Sequence, residues 1–193
     1  PPGACVAVDT ASAQVAEYAL ARGARVVNDV TALGDPGMAE RVRAAGAGLV
    51  LMHMAGSPGT MQRDPRYGDV AREVGAHLAG RLAAAVAAGI PPEAVAIDPG
   101  IGFGKTVEHN LQLLARLGEL AGTGRPLLVG VSRKSFLGKT LDLPVDQRLE
   151  GGLAATAVAV FLGARVVRTH DVAATVRAVR IADALRAARR APA

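Results

Sequence analysis

Six short apolar runs in this 193-residue sequence each end in side chains that donate, accept or carry charge: Asp9, Asn28 with Asp29, His53, Asp98, Ser132 with Arg133 and Lys134, and Arg168 with His170. A strand that only builds a core needs none of them. Asp98 is the most specific, because a carboxylate at a strand end accepts two parallel N–H bonds from a guanidine-like edge such as that of a 2-amino-4-oxopyrimidine ring. A helix cap or a turn explains any single one of these residues; recurrence at all six strand ends is harder to attribute to capping.

The stretch that follows Asp98 reads first as a phosphate loop: "IDPGIGFGKT", residues 97–106, runs from a strand into glycines and a Lys-Thr pair. A nucleotide-binding P-loop needs two glycines separated by four residues before Lys-Ser/Thr, so that successive N–H groups curl around the phosphates. Here Gly100 and Gly104 are separated by three, and Pro99, which has no N–H, stands where the first glycine belongs. The dinucleotide pattern G-x-G-x-x-G fails too, since Gly100, Gly102 and Gly104 follow G-x-G-x-G. What remains distinctive is Asp98 beside a loop whose glycines let backbone and Phe103 close over a ligand.

Periodicity supplies the elements that must hold these groups. β-Branched runs predict strands at 5–10, 25–30, 48–54, 94–100, 126–134 and 164–170. Between and after them, helical spacing predicts helices at roughly 11–22, 36–45, 69–88, 107–121, 147–162 and 172–190. Gly89 and Gly122 are among the glycines expected to end helices, Asp35 is expected to cap the helix opened by Pro36, and Asp171 is a candidate cap for the last helix. Strands alternating with helices make a parallel sheet wrapped by helices, and in a (β/α)8 barrel or a doubly wound sheet the C-terminal strand ends share one face. The irregular stretch 54–69 has the length of a functional loop or an ordered surface excursion.

Composition narrows the function classes. The net charge of +5 comes largely from arginines on Ala-rich helical stretches and in the tail "RAARRAPA", and aromatics are only 3%, which leaves few rings for stacking bases. A solvated helix face is therefore expected rather than a nucleic-acid groove. Cys5 is alone, so neither an internal disulfide nor a cysteine-based zinc site can form, and a reducing, cytoplasmic setting fits. No apolar run reaches the ~18 residues that span a bilayer, so no membrane contact is expected. The opening "PPGACVAVDT" lacks both an initiator Met and a secretory pattern and reads as the middle of a gene product; residues 1–193 are expected to form a single domain.

"NDVTAL", "VLMHMAGSPGTMQ", "IDPGIGFGKTVEHNLQLL", "VGVSRKSFLG" and "VRTHDV" occur in an order and spacing that resembles dihydropteroate synthase, the folate-pathway enzyme that joins 6-hydroxymethyl-7,8-dihydropterin diphosphate to p-aminobenzoate and releases pyrophosphate. The resemblance covers essentially the whole chain, from the family's third barrel strand to its last helix. It implies a TIM-type (β/α)8 barrel present here as about six βα units. Carried onto matching positions, it implies a pterin pocket of Asp9, Asn28, Met52, Asp98 and Lys134, with Phe103 and Gly130 on its walls. Asp98 would accept from the ring N3–H and 2-amino group, Asn28 would read the remaining ring nitrogens, and Lys134 would donate to the 4-oxo and N5 side. Asp9 would stand near N8–H, or else form the turn before the first helix. Arg168 and His170 would hold the diphosphate, while Ser132, Arg133 and the stem of Lys134 would line the approach of p-aminobenzoate, where sulfonamides would compete. His77 and His109 fall within expected helices and are assigned to packing.

The implied chemistry is dissociative: the C–O bond to diphosphate breaks before the amine attacks, with the departing charge stabilised by Arg168, His170 and Mg²⁺. A barrel of this type needs eight βα units and about 250 residues. The first two units, expected to carry the Mg²⁺ ligand and part of the p-aminobenzoate pocket, have no counterpart here, so no metal ligand is assigned within this chain. A homodimer through the last helices is the implied assembly. Two other readings stand beside the enzyme: a catalytically inactive pterin-binding paralogue or fragment, and a pterin-dependent methyltransferase domain, which "SRKSFLG" with Arg168 and His170 disfavours.

Overall fold

A computed structural model describes residues 3–57 and 59–190. Pro58 of the long loop and the last three residues of the arginine-rich tail lie outside them. Six strands form where β-branched residues cluster: β1 Ala7–Asp9, β2 Val26–Asp29, β3 Gly48–Met52, β4 Val95–Asp98, β5 Leu127–Val129 and β6 Ala164–Val167. Each pairs in parallel with its sequence neighbour, giving one sheet in the order β1-β2-β3-β4-β5-β6. The crossovers contain α1 Ala13–Leu20, α2 Met38–Ala44, α3 Val70–Ala87, α4 Val107–Ala115, α5 Leu117–Leu120, α6 Ser135–Leu141 and α7 Leu149–Phe161, and α8 Val172–Arg190 follows β6.

Alternation along each strand sorts side chains onto two faces. Val27, Leu49, Leu51, Val95, Ile97, Leu127 and Val129 point outward and are buried under the helices with Val74 and Leu78 of α3 and Leu113 of α4. Their partners in alternation, Ala7, Val26, Val50, Ala96, Leu128 and Val166, line an inner trough of about 730 Å³. At the open side Arg168, just past β6, reaches Asp9 at the end of β1 at 2.6 Å, so the two outer strands have been brought round toward each other. The sheet is thus a curled, incomplete barrel. Among the described residues no helix is long and apolar enough to cross a membrane.

Several expected boundaries shift. The run 126–134 stops being a strand at Val129, and "SFLGKTL" forms α6, a helix that strand-like residues upstream conceal. The helix expected over 107–121 breaks at Arg116, whose guanidinium is shared between Asp69 at 2.9 Å and Glu119 at 2.7 Å. After it, Gly124 rather than Gly122 takes the left-handed conformation, at φ 68°, because Gly122 lies inside the short turn of helix at Ala121–Thr123. Asp35 does not cap α2 from the N-cap position, which is Gly37; its carboxylate instead accepts from Gly37 N–H at 2.9 Å and from Ala13 N–H of α1 at 2.8 Å. Asp171 turns its carboxylate to Arg133, at 2.8 Å.

Two positions on α3 should respond in opposite directions in urea unfolding. Leu78 is fully buried, so Leu78→Ala is expected to cost about 2–5 kcal/mol. Gly80 meets nothing within 4 Å of an added Cβ, so Gly80→Ala should stabilise by about 0.5–1 kcal/mol.

Candidate active site

The residues expected to act together gather on the rim at the C-terminal ends of the strands. Parallel pairing sets Asp9 opposite Asn28 and Met52 opposite Asp98, and all four share the inward alternation of Val26, Val50 and Ala96. Gly130 lies beside Arg168, whose Cβ would be 3.5 Å from a Cβ added there. Asp29, one residue on from Asn28, faces the other way. Its buried carboxylate accepts from Thr31 N–H at 2.8 Å, the Thr31 hydroxyl at 2.7 Å and Leu33 N–H at 2.6 Å, so it shapes the following loop.

Asp9 is bracketed by donors: Asn28 Nδ2 donates to one carboxylate oxygen and Arg168 Nη2 to the other. This fixes the Asn28 amide, since the reverse orientation would set its oxygen against a carboxylate. The consequence is that Asn28 Oδ1 is buried with no hydrogen-bond partner among the described residues. Leaving such an acceptor unpaired costs about 1–3 kcal/mol, which a donor from a ligand would relieve.

Asp98 is also buried, and one of its oxygens accepts from Gly100 N–H at 2.7 Å. Burial pushes its carboxyl above the ordinary value, against the opposing pull of the Gly100 N–H and of Lys134, Lys105 and Arg168. The loop beyond it turns through left-handed glycines, and its five successive carbonyls from Gly100 to Gly104 all take side-chain donors. Lys105 Nζ donates to Gly100 O and Phe103 O at 3.0 Å each, Lys134 Nζ to Ile101 O, Gln62 to Gly102 O at 2.9 Å, and the Tyr67 hydroxyl to Gly104 O at 2.9 Å. Besides Gly100, two more loop N–H groups are spent within the protein, Gly102 on Asn110 at 2.6 Å and Phe103 on Gly100 O at 3.0 Å. The geometry is the opposite of a phosphate cradle. It also explains the long stretch 54–69, which reaches over the glycine loop through Gln62 and Tyr67.

Lys105 is a residue that sequence reasoning missed. It is only 3% exposed, and its third contact is His53 Nδ1 at 3.0 Å. Burial lowers Lys105 to about 7, with Asp98 opposing and Lys134 adding to the shift. His53 falls to about 3 through burial, then the nearby Lys105 and His77, and so is neutral. The signal in the sequence is a run of glycines whose exposed carbonyls need donors, with a lysine directly after it. Lys134 is lowered to about 8 by burial and by Arg168, against the pull of Asp98; its ammonium also lies 4.6 Å from the Phe103 ring.

The remaining expected residues lie just outside this group. His170 Nδ1 is 3.0 Å from the Ser132 hydroxyl, which joins the ends of β5 and β6. Arg133, in a left-handed conformation at φ 60°, points to Asp171 instead of toward the trough. His77 stacks edge-on against His53 at 4.9 Å, and His109 completes a capping box with Thr106 at the start of α4. Among the described residues no three His, Cys, Asp or Glu side chains gather to hold a metal, and Asp9 on the rim has both oxygens engaged.

Gly100 is where the site tolerates least change. A Cβ there would overlap the His53 carbonyl oxygen, and φ is +66°. Gly100→Ala should lower stability by more than about 2 kcal/mol, read from urea unfolding, since the left-handed conformation alone costs roughly 1–2 kcal/mol before the clash is counted.

Comparison with known proteins agrees with this architecture. The sequence profile of the family described as "pterin binding enzyme" matches residues 3–170. A dihydropteroate synthase of Escherichia coli (strain K12) is 42% identical over 179 residues, which cover 93% of this chain and 64% of that protein. The chain therefore spans under two thirds of that relative's length. The crystal structure of Yersinia pestis dihydropteroate synthase with a sulfonamide drug superposes with a TM-score of 0.92 at 41% identity, over 95% of this chain and 67% of that one. Dihydropteroate synthase from Thermus thermophilus in complex with 6HMPPP gives 0.90 at 44% identity, over 95% and 73%. Such solved structures share the curled parallel sheet, and by the extent of the family match the chain belongs to the pterin-binding enzymes.

Proposed function

We propose that this chain supplies most of the active site of a dihydropteroate synthase, which condenses 6-hydroxymethyl-7,8-dihydropterin diphosphate with p-aminobenzoate to give 7,8-dihydropteroate and pyrophosphate. The observation that carries the reading is the buried, unpartnered Asn28 Oδ1 on the same rim as buried Asp98. One acceptor asks for a single N–H, the other for a pair, which matches the donor-rich edge of a pterin. The relatives support it: the Thermus thermophilus synthase is solved with 6HMPPP, and the Yersinia pestis synthase with a sulfonamide.

In this reading Asp98 and Asn28 bind and orient the ring between Met52 and Phe103, and Lys134 leaves Ile101 O to donate to the 4-oxo and N5 side. Arg168 holds one guanidinium edge on Asp9 and turns the rest toward the diphosphate, with His170 beside it, so that charge developing on the leaving oxygens meets fixed cationic donors. Asp9 faces the reduced ring, where a carboxylate favours the cation left when the C–O bond breaks. Ser132 lines the route of the incoming amine, with Arg133 beside it held on Asp171. No nucleophilic side chain takes part.

Calorimetric titration with 6-hydroxymethyl-7,8-dihydropterin diphosphate tests the reading, and Asp98→Asn sharpens it. Losing a charged acceptor for two N–H groups should weaken binding by about 100-fold or more. The variant should still fold. A carboxyl raised by burial contributes stability that is present below its unfolded value and lost as pH climbs through the folded one, so Asp98→Asn should gain on the parent chain as pH rises above 3.8. Unchanged affinity in this variant would remove Asp98 from its assigned place.

We further propose that the chain pairs as a homodimer through its last helices. Ile181 and Leu185 lie one turn apart on α8 and are 66% and 58% exposed, which is costly for a face left in water. Sedimentation should find a dimer that Ile181→Glu with Leu185→Glu converts to monomer; a monomeric parent chain would refute the pairing.

A further inference from the structure

Lys105 takes no part in the chemistry above, yet few side chains of this molecule are held more completely. It sits between the glycine loop and Thr106, the N-cap of α4, and its Nζ is surrounded by Gly100 O, Phe103 O and His53 Nδ1, each at 3.0 Å. An ammonium has three donors, and here each finds an acceptor. Burying such a group is costly unless the charge has a use nearby, because taking an ion out of water costs several kcal/mol even after relaxation. A methionine would fill the same space without that cost, but would leave Gly100 O, Phe103 O and His53 Nδ1 without the donor they share.

The use is visible at Gly100. Its N–H is donated to Asp98 and its carbonyl accepts from Lys105, so a single residue stands between a buried carboxylate and a buried cation. The charged groups facing Asp98 are Lys105, Lys134 and Arg168. Those facing Lys105 are Asp98 on β4, Lys134 beyond β5 and His53 at the end of β3, with His77 of α3 behind His53. Of the three cations around Asp98, Lys134 and Arg168 sit at the rim, where they are assigned to ligand. Lys105 is the one fixed behind it.

We propose that Lys105 is a positioning residue: it pins the 100–104 loop by two of its carbonyls and, from behind Gly100, favours the ionised form of Asp98 that accepts two N–H bonds, whether or not the rim cations are engaged elsewhere. His53, kept neutral, supplies the third acceptor and orients the ammonium. The inference rests on the reading of Asp98 as the pterin acceptor, but its decisive test does not need the ligand.

Lys105→Met removes charge and donors at nearly constant length, and Lys105→Gln removes the charge while keeping a donor. The Asp98 carboxyl is followed by carbon NMR across pH in the ligand-free chain and both variants, with circular dichroism as a check on folding. The midpoint should move to higher pH in both variants, since losing a nearby opposite charge disfavours the carboxylate. A role confined to packing would leave it unmoved, because methionine restores the volume, and an unmoved midpoint in either folded variant would overturn the proposal. Calorimetry with 6-hydroxymethyl-7,8-dihydropterin diphosphate at pH 7 separates the two claims. About tenfold weaker binding in Lys105→Met is expected; a parent chain that fails to bind while the Asp98 midpoint still moves would sink the proposed function and leave the Lys105 role standing.

Discussion

Because side chains alternate along a parallel strand, the pairing of Asp9 with Asn28 and of Met52 with Asp98 decides everything at the rim. Sliding β2 by one residue against β1 would send Asn28 under the helices and bring Val27 or Asp29 to the trough. What prevents the slip is not polar at all. Val27, Leu49, Leu51, Val95 and Ile97 fill the layer beneath α3 and α4, and their burial fixes which residue of each strand faces inward. Each site residue is thus held in place by an apolar neighbour one position along the chain.

Past the ends of the strands that control is gone, and hydrogen bonds take over. Residues 100–104 have no regular secondary structure to satisfy their carbonyls, so donors arrive from three segments: Lys105 within the loop's own end, Lys134 from beyond β5, and Gln62 and Tyr67 from the excursion after β3. Two of these donors are cations in a poorly solvated place, with burial lowering both. A loop built only for stability would use neutral donors. The choice of lysine makes sense next to a carboxylate that must remain charged while shielded from water, so the loop gives up stability in favour of the electrostatics of Asp98.

Much of this is legible in the residues alone, and what escapes does so for physical reasons. β-Branched runs place all six strands, because a strand buried on one face needs them, and each polar terminus marks where the sheet ends. Helix α6 is hidden because "PLLVGVSRK" continues without punctuation, and the chain turns there through Arg133 in a left-handed conformation that its residue type does not announce. Asp9 and Arg168 can each be picked out, but their union cannot, since 159 positions separate them. Lysine beside an N-cap threonine reads as solvated, which conceals Lys105, and Asn110 on α4 is concealed in the same way by its ordinary place in a helix.

The Arg168–Asp9 contact joins the first strand of the sheet to the last, and among the described hydrogen bonds no other does. Both partners are open to solvent, and an exposed ion pair of this kind adds little to stability beside the burial of the apolar layer. The bend of the sheet therefore belongs to the buried layer beneath the helices, and the seam marks only where its two outer strands meet.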